Sequence, residues 1–223
     1  LIIGQRDTRQ RHAVAKQSGQ PASLHDDLFG FDVGCVLPAP FGHGIGAATR
    51  DRPVGGYGAA IMEALKINHD DIVVEFPPDG SSPPERIKDL IEKIEEGYDF
   101  VIASRYMKGA RSYDDDIVTS FGNWMFTRVI NLLFRTKFTD ALIGYRAYRR
   151  SAIDKLNVRA TKLDWSVELP ILFAKSGAKI TEIPCDEPRR IGGKRKMHPI
   201  KTGMAISRVI IWEFFQVAIR MKK

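Results

Sequence analysis

The sequence predicts an α/β domain with a mostly parallel sheet flanked by helices. Short apolar runs typical of buried strands alternate with longer segments whose apolar residues recur at helical spacing. The chain has 223 residues, of which 43% are hydrophobic, which is enough for one domain with a well-buried core. We therefore expect a globular α/β domain rather than a disordered chain.

Each predicted element follows from a local pattern. Residues 71–76 form an apolar run that ends at a Pro-Pro-Asp-Gly sequence, which is typical of a strand followed by a turn. Residues 84–96 carry apolar side chains at helical spacing, and Pro83 and Pro84 suit the first turn of a helix. The other predicted strands are residues 98–104, 141–148 and 179–183, and the other predicted helices are residues 57–66, 120–134 and 163–176.

The two ends of the chain differ from the regular middle, residues 53–200. Residues 1–52 contain a polar run and a Pro/Gly-rich stretch without a sustained period, so we interpret them as a divergent or incomplete N-terminal segment. Residues 201–223 form a basic, amphipathic segment interrupted by too many charges for a transmembrane span. This pattern predicts a C-terminal helix at a membrane interface, and the competing interpretation is a helix that packs on the sheet.

The net charge of +7 is concentrated at the C-terminal end. Residues 186–223 hold ten basic and three acidic residues, which accounts for the whole excess. A neutral body disfavours a surface that coats nucleic acid, and the basic loop at residues 189–196 has no aromatic side chains beside it on which bases could stack. We therefore expect a local anionic partner and no nucleic acid.

Cysteine and histidine spacing exclude two further classes of site. The only two cysteines, Cys35 and Cys185, lie far apart in the sequence and form neither a disulfide framework nor a zinc motif. The five histidines also lack metal-ligand spacing. A redox or zinc protein is therefore disfavoured.

The candidate site lies in loops that follow the predicted strands, because ligands of such sheets bind at the carboxyl ends of strands. Asp79, followed by Gly80, can present its carboxylate to a cation or to a metal-bound diphosphate, and the alternative is a structural turn. Arg105 can hold a phosphate through two parallel hydrogen bonds, and the alternative is a surface ion pair.

Two charged runs supply further candidates. Residues 189–196 place five cations around a Gly pair, which suits a diphosphate or a lipid headgroup. The alternatives are a nucleic-acid patch, a nuclear-localisation-like signal or a solvated loop. Three consecutive acids, residues 114–116, could bind a cation, but such a run is more often only solvated.

Several motifs follow one another in order along about three quarters of the chain. They are Gly-Tyr-Gly-Ala-Ala at 56–60, Pro-Asp-Gly at 78–80, Pro-Pro-Glu at 83–85, Glu-Gly-Tyr-Asp-Phe-Val-Ile-Ala-Ser-Arg-Tyr at 96–106, Ser-Phe-Gly-Asn at 120–123, Thr-Asp-Ala-Leu-Ile-Gly-Tyr-Arg-Ala at 139–147 and Arg-Ile-Gly-Gly-Lys-Arg-Lys at 190–196. Together these motifs resemble the family 2 glycosyltransferases, most closely the polyprenyl-phosphate (dolichyl-phosphate) mannosyltransferase type.

The resemblance implies a GT-A-type fold, a nucleotide-sugar donor, Mg²⁺ or Mn²⁺, a polyprenyl phosphate acceptor and a peripheral location at the cytoplasmic face of a membrane. It implies that Asp79 binds the metal and that Arg105 and Ser120 lie near the acceptor phosphate. The remaining implied site residues are Asp140, beside the active site, and Arg190, Lys194 and Lys196, in a basic loop that closes over phosphates.

The sequence departs from the family pattern at the donor site. Pro77 stands where the first metal-loop aspartate is expected, Ser81 stands where an amide is frequent, and residues 114–116 are acidic where basic residues often precede the serine. Two N-terminal family motifs that hold the base and ribose are absent from residues 1–52.

The function predicted from the resemblance is metal-assisted, inverting transfer of a hexose, mannose or glucose, to a polyprenyl phosphate. Because residues 1–52 lack the two donor motifs, the alternative is a degenerate, non-catalytic domain that binds anionic lipid or a protein partner.

Overall fold

A six-stranded sheet organises the chain, with the strand order β2-β1-β3-β5-β4-β6. The structure, a computed structural model, describes residues 2–5, 34–36, 55–77, 79–190 and 199–220. The strands are β1 (Ile2–Gln5), β2 (Gly34–Val36), β3 (Ile72–Glu75), β4 (Phe100–Ser104), β5 (Arg146–Arg149) and β6 (Ile180–Pro184). The helices are α1 (Tyr57–Ile67), α2 (Arg86–Glu95), α3 (Ile117–Phe134), α4 (Arg150–Ile153), α5 (Trp165–Lys175) and α6 (Pro199–Arg220).

The predicted α/β architecture with flanking helices is confirmed, but the prediction of a mostly parallel sheet needs correction. Among the described strands, the pair β4 and β6 is parallel, whereas every other neighbouring pair is antiparallel. Strands β1 and β5 run opposite to the other four. An apolar run predicts that a strand is buried, but it carries no information about direction, so the sequence pattern could not show that β5 is reversed.

The reversal of β5 shapes the functional edge of the sheet. Because β5 lies between β3 and β4 and runs opposite to both, the segment that enters β5 meets the segments that leave β3 and β4. β6 runs parallel to β4 and leaves at the same edge. Among the described segments, those that leave β3, β4 and β6 therefore meet the one that enters β5 at the same edge of the sheet.

Alternating side chains of the central strands divide the core between the two faces of the sheet. On one face, Val73, Phe100 and Tyr148 pack with apolar side chains of α1, α3, α5 and α6. On the other face, Val74 and Val101 pack against α2. The residues of α2 in this cluster are Leu90, Ile91 and Ile94, whose spacing gave the sequence prediction of this helix.

Helix α5 contains Pro170 and still runs from Trp165 to Lys175. Proline lacks the N–H that would bond the carbonyl four residues earlier, that of Ser166. Nη1 of Arg146 donates to this carbonyl oxygen at 3.1 Å. A side chain of the sheet thus satisfies the acceptor that the helix cannot use.

The C-terminal helix begins at Pro199, so the predicted boundary at residue 201 falls inside it. Ile206 and Ile210 are buried in the core, and Glu213 accepts a hydrogen bond from Lys175 of α5 at 2.5 Å. One face of α6 therefore packs on the domain, mainly against α3 and α5 rather than directly on the sheet. Among the described residues, no helix is long and apolar enough to cross a membrane.

Two described strands come from the atypical N-terminal segment. β1 pairs with β3, and β2 pairs with β1, so both extend the same sheet beyond β3. β1 is antiparallel to β3 rather than parallel. The division at residue 53 stays a prediction, and the rest of residues 1–54 lies outside the described part.

Candidate active site

A pocket of about 350 Å³ lies at the edge where β3, β4 and β6 end. The polar and charged side chains that line it include Asp79, Ser81, Arg105, Asp115, Glu187 and Arg190. The apolar side chains that line it include Val118, Phe126, Leu142, Ile143, Leu163 and Ile206. The pocket thus combines fixed charges of both signs with an apolar wall formed partly by α3 and α6.

Asp79 lies in the loop after β3 and has contacts on both carboxylate oxygens. Its Oδ1 accepts hydrogen bonds from the backbone N–H of Ser81 at 3.1 Å and from the Ser81 hydroxyl at 2.6 Å. Its Oδ2 lies 3.5 Å from Nη1 of Arg190. The loop is therefore a structural turn, as the alternative interpretation expected, and the turn holds the carboxylate in the pocket wall.

Arg105 follows β4 directly and makes a two-pronged ion pair with Asp140. The Nε–Oδ2 distance is 2.7 Å and the Nη2–Oδ1 distance is 3.1 Å. Its Nη1 donates to Asp115 at 3.1 Å and to Glu187 at 3.2 Å. The guanidinium makes its two parallel hydrogen bonds with the carboxylate of Asp140, whereas the sequence predicted that it would make them with a phosphate.

Opposing effects act on the pKa of Arg105, which is only 9% exposed. Burial, the largest effect, lowers the pKa, but the charges of Asp140, Glu187 and Asp115 together raise it well above its ordinary value. Arg105 is therefore a permanent cation at the pocket.

Asp140 is fully buried and lies beneath Arg105, outside the pocket lining. Its Oδ1 also accepts a hydrogen bond from Asn123 at 3.0 Å, and its backbone N–H donates to Glu182 at 3.2 Å. Such a carboxylate cannot touch a ligand in the pocket directly. The prediction that Asp140 is catalytic stays a prediction, and its placement favours a positioning role.

Ser120 lies in the first turn of α3. Asp116 caps this helix by accepting a hydrogen bond from the backbone N–H of Thr119 at 2.7 Å, so the helix begins at Ile117 and not at residue 120 as predicted. The Ser120 side chain hydrogen-bonds Tyr106, whose own hydroxyl donates to Asp115 at 2.5 Å. Burial, the main cause, raises the pKa of Tyr106 to about 12, so its hydroxyl stays protonated near neutral pH.

Arg190 brings two acidic loops together. It makes a two-pronged contact with Asp114, at 3.0 Å from Nε and 2.8 Å from Nη2, and it also faces Asp79. The structure thus brings together Asp79, Arg105 and Arg190, as the sequence predicted for a common site. Lys194 and Lys196, from the same basic loop, lie outside the described residues.

A model of the family described as "Glycosyl transferase family 2" matches residues 40–156, just over half of the chain. The chain belongs to this family. A dolichyl-phosphate hexose transferase from Haloferax volcanii is 31% identical over 168 residues, which cover 75% of this chain and 72% of that protein. An undecaprenyl-phosphate mannosyltransferase from Micrococcus luteus is 28% identical over 176 residues, which cover 78% and 72% respectively.

Solved structures agree with this family assignment at the level of the fold. A glucosyl-3-phosphoglycerate synthase from Mycobacterium tuberculosis, crystallised with uridine diphosphate, matches with a TM-score of 0.56 and 19% identity over 74% of this chain. The match spans 57% of that synthase. A complex of the same enzyme with Mn²⁺, uridine diphosphate and phosphoglyceric acid matches with a TM-score of 0.53, at 21% identity, over 74% of this chain and 55% of that one. The predicted GT-A-type fold is confirmed.

The donor atoms of this family 2 chain fit a divalent cation only in part. Among the described residues, no group of three or more His, Cys, Asp or Glu side chains could enclose a metal ion. Asp79 nevertheless lines the pocket, and both of its turn contacts are made by Oδ1 and not by Oδ2. Mg²⁺ is commonly held by one or two carboxylates together with substrate phosphates, and one carboxylate suits that arrangement.

A buried polar cluster around Glu75 was not predicted from the sequence. Glu75 accepts hydrogen bonds from Arg146 at 2.9 Å, Tyr148 at 3.0 Å and Trp165 at 2.9 Å. The hydroxyl of Tyr57, which lines the pocket, lies 3.4 Å from the same carboxylate. The sequence shows that Glu75 and Arg146 are charged residues in two predicted strands. Only the pairing of β3 with β5 shows that these two charges meet.

Proposed function

We propose that this family 2 glycosyltransferase moves a hexose, mannose or glucose, from a nucleotide-diphosphate sugar to a polyprenyl phosphate. The observation that carries the proposal is the pocket itself, where Asp79 and two arginines adjoin an apolar wall formed partly by α3 and α6. A phosphate head with a hydrocarbon tail needs both kinds of surface. Two relatives named for transfer to dolichyl phosphate and undecaprenyl phosphate support this acceptor class.

The proposed reaction needs no strong general base. The acceptor phosphate is an anion near neutral pH, and one of its oxygens attacks the anomeric carbon. That bond forms while the bond from the anomeric carbon to the diphosphate breaks, and the nucleoside diphosphate leaves with the electron pair. Attack opposite the leaving group gives inversion. The protein contributes position and charge.

Each pocket residue has a proposed role that follows from its contacts. Asp79 would hold a divalent cation, Mg²⁺ or Mn²⁺, which supplies charge neutralisation at the leaving diphosphate. Arg190 and the basic side chains that follow it, including Lys194 and Lys196, would hold phosphates. Arg105 and Ser120 would contribute to the acceptor side, and Asp140 would position Arg105 from below.

Exposed apolar side chains on α3 and α6 support a membrane surface as the partner of this site. Phe121 and Trp124 of α3 are 60% and 56% exposed, and Trp212 and Phe215 of α6 are 50% and 58% exposed. The two helices pack together, with Phe126 near Gly203, and both residues line the pocket. A chain seated on these helices at the cytoplasmic face of a membrane would receive its lipid acceptor directly from the bilayer.

The test of the activity is transfer of radiolabelled mannose and glucose from nucleotide sugars into a polyprenyl phosphate in detergent, with Mg²⁺ or Mn²⁺. We expect Asp79→Ala to reduce the rate about a hundredfold, since loss of one contact to the leaving group costs about 3 kcal/mol. Asp154→Ala, which removes an exposed carboxylate just after α4, is the control. Equal rates for wild type and Asp79→Ala would refute the role of Asp79.

Calorimetry with nucleotide sugars separates transfer from the degenerate alternative. Donor binding at micromolar concentration supports the transferase. Vesicle binding without donor binding would instead favour a lipid-binding domain that has lost catalysis.

Sedimentation with vesicles tests the membrane surface. Phe121→Ser and Trp212→Ser should each weaken binding to vesicles of phosphatidylcholine and phosphatidylglycerol, because each removes an aromatic anchor. Ile67→Ser removes a comparably exposed apolar side chain from α1 and should have no effect. Equal loss in all three variants would exclude a specific lipid-facing surface.

A further inference from the structure

Both arginines that line the described part of the pocket are hydrogen-bonded to carboxylates of the protein, at the positions where an anionic ligand would bind. We define Asp114 and Asp115 as the acidic pair, and Arg105 and Arg190 as the arginine pair. Asp114 makes a two-pronged contact with Arg190, and Asp115 accepts a hydrogen bond from Nη1 of Arg105. The contact between Arg190 and Asp114 has the two-pronged geometry that an arginine uses for phosphate, whereas Asp115 takes one N–H of Arg105.

Only some of the N–H groups of Arg105 bind the buried part of the domain, and the side chain of Arg190 is partly exposed. Nε and Nη2 of Arg105 bind the buried Asp140, whereas Nη1 binds Asp115 and Glu187, both of which line the pocket. Arg190 is more open, with a quarter of its side chain exposed. Exchange of a carboxylate for a phosphate oxygen therefore leaves the pair of Arg105 with Asp140 intact.

The segment that carries the acidic pair is fixed on both sides. Before it, the backbone N–H of Tyr113 donates to Glu187 at 2.9 Å, and that of Glu187 donates to Arg111 at 2.9 Å. After it, Asp116 caps α3. The acidic pair lies between these two anchors, so rotation of its side chains can release the arginines without unfolding the segment.

The carboxylates that line the pocket oppose the binding of an anionic ligand to the arginine pair. Among the described residues, Asp79, Asp115 and Glu187 contribute three negative charges to the lining, against two positive charges from the arginine pair. These carboxylates repel a diphosphate until one of them releases its arginine.

We propose that the acidic pair is an internal counter-anion, which a phosphate-bearing ligand displaces from the arginine pair when it binds. This inference rests on the proposed function, because it assigns ligand phosphates to the same two arginines. The acidic pair therefore weakens anion binding and favours ligands that carry at least two negative charges. It is a selectivity device formed from residues 114 and 115.

The test is calorimetric titration of inorganic pyrophosphate into the whole chain without divalent cations. Asp114→Asn and Asp115→Asn keep the shape of the side chain and remove the charge. Each should lower the Kd for pyrophosphate about three- to tenfold, the equivalent of one freed ion pair. The matched control is Asp186→Asn, which removes a neighbouring charge that bonds the backbone N–H of Arg111 at 2.8 Å.

Unchanged or weaker binding in both variants overturns the proposal, as does equal tightening in the control, which would indicate a general charge effect. A repeat with Mg²⁺ adds a third decisive result: if either variant loses affinity only with Mg²⁺, the acidic pair holds a cation and the proposal is wrong. Urea unfolding checks that each variant is folded. Asp114 is the more exposed of the two, so Asp114→Asn decides alone if Asp115→Asn unfolds.

Sugar transfer by the wild-type chain, assayed in parallel, separates this proposal from the proposed function. Transfer with unchanged pyrophosphate affinity in the variants rejects only the counter-anion. Tighter pyrophosphate binding in the variants without any sugar transfer rejects only the transferase.

Discussion

The guanidinium of Arg105 and the carboxylate of Asp140 face each other in parallel, at 2.7 Å and 3.1 Å, although 35 residues separate them in the sequence. The pair joins the end of β4 to the segment that leads into β5, and the reversed direction of β5 makes this contact possible. This buried ion pair lies directly beneath the charged side chains that line the pocket.

We predict that Asp140→Ala destabilises the fold by about 3–5 kcal/mol, because it leaves the buried cation of Arg105 without its main partner. Urea unfolding followed by circular dichroism measures the change. Asp154→Ala breaks an ion pair with Arg150 that is equally short, at 2.7 Å, but more exposed, and should cost less than about 1 kcal/mol. Similar losses in the two variants would show that burial does not distinguish these pairs.

The ion pair between Glu75 and Arg146 should behave as a coupled unit. Glu75→Gln and Arg146→Met alone should each cost about 3–5 kcal/mol, since either change leaves a buried charge uncompensated. The double variant should cost clearly less than the sum of the single variants, which a double-mutant cycle by urea unfolding measures. Additive costs would contradict the coupling, and Glu92→Gln, in an exposed pair with Lys88, serves as the control.

Replacement of two helical glycines by alanine should change the stability of the fold in opposite directions. A Cβ at Gly58 of α1 would lie 2.5 Å from the backbone oxygen of Ala160, so Gly58→Ala forces the backbone to move and should destabilise by about 1–3 kcal/mol. A Cβ at Gly122 of α3 meets nothing within 4 Å, so Gly122→Ala should stabilise by about 0.5–1 kcal/mol. Thermal unfolding measures both changes, and a stabilising Gly58→Ala would contradict the close packing of α1.

The thiol of Cys185 should react slowly. Burial, with smaller contributions from nearby acidic charges, raises its pKa from 9.0 to about 11. A raised pKa means less thiolate at a given pH, and at pH 8 the thiolate fraction falls about a hundredfold. Mass spectrometry of peptides labelled with iodoacetamide should show slow labelling that accelerates about tenfold per pH unit. Equal labelling rates at pH 8 in folded protein and in urea would contradict this expectation.

Much of the fold could be predicted because its signals are local. The spacing of Leu90, Ile91 and Ile94 predicts helix α2, and an uninterrupted apolar run predicts strand β4. Asp79 and Arg105 could be selected because each lies in the loop after a strand, where ligands of such sheets bind. These inferences need only the residues within one element and its adjoining loop.

The partners of the site residues could not be predicted, because they lie far away in the sequence. Glu187 reaches Arg105 across 82 residues, and Asp114 reaches Arg190 across 76. The acidic run at 114–116 gave only a choice between a cation site and a solvated loop. Strand register and loop packing determine such contacts, and no local period of the sequence encodes either one.

The strand order also has a consequence for folding of the nascent chain. β4 lies between β5 and β6, and both of these partners come later in the chain than β4 itself. Because pairings across such separations close slowly, we expect the sheet to form late. During synthesis, the edge of β4 that pairs with β6 exposes unpaired backbone N–H and C=O groups until residues 180–184 have been made, and aggregation competes with folding during that interval.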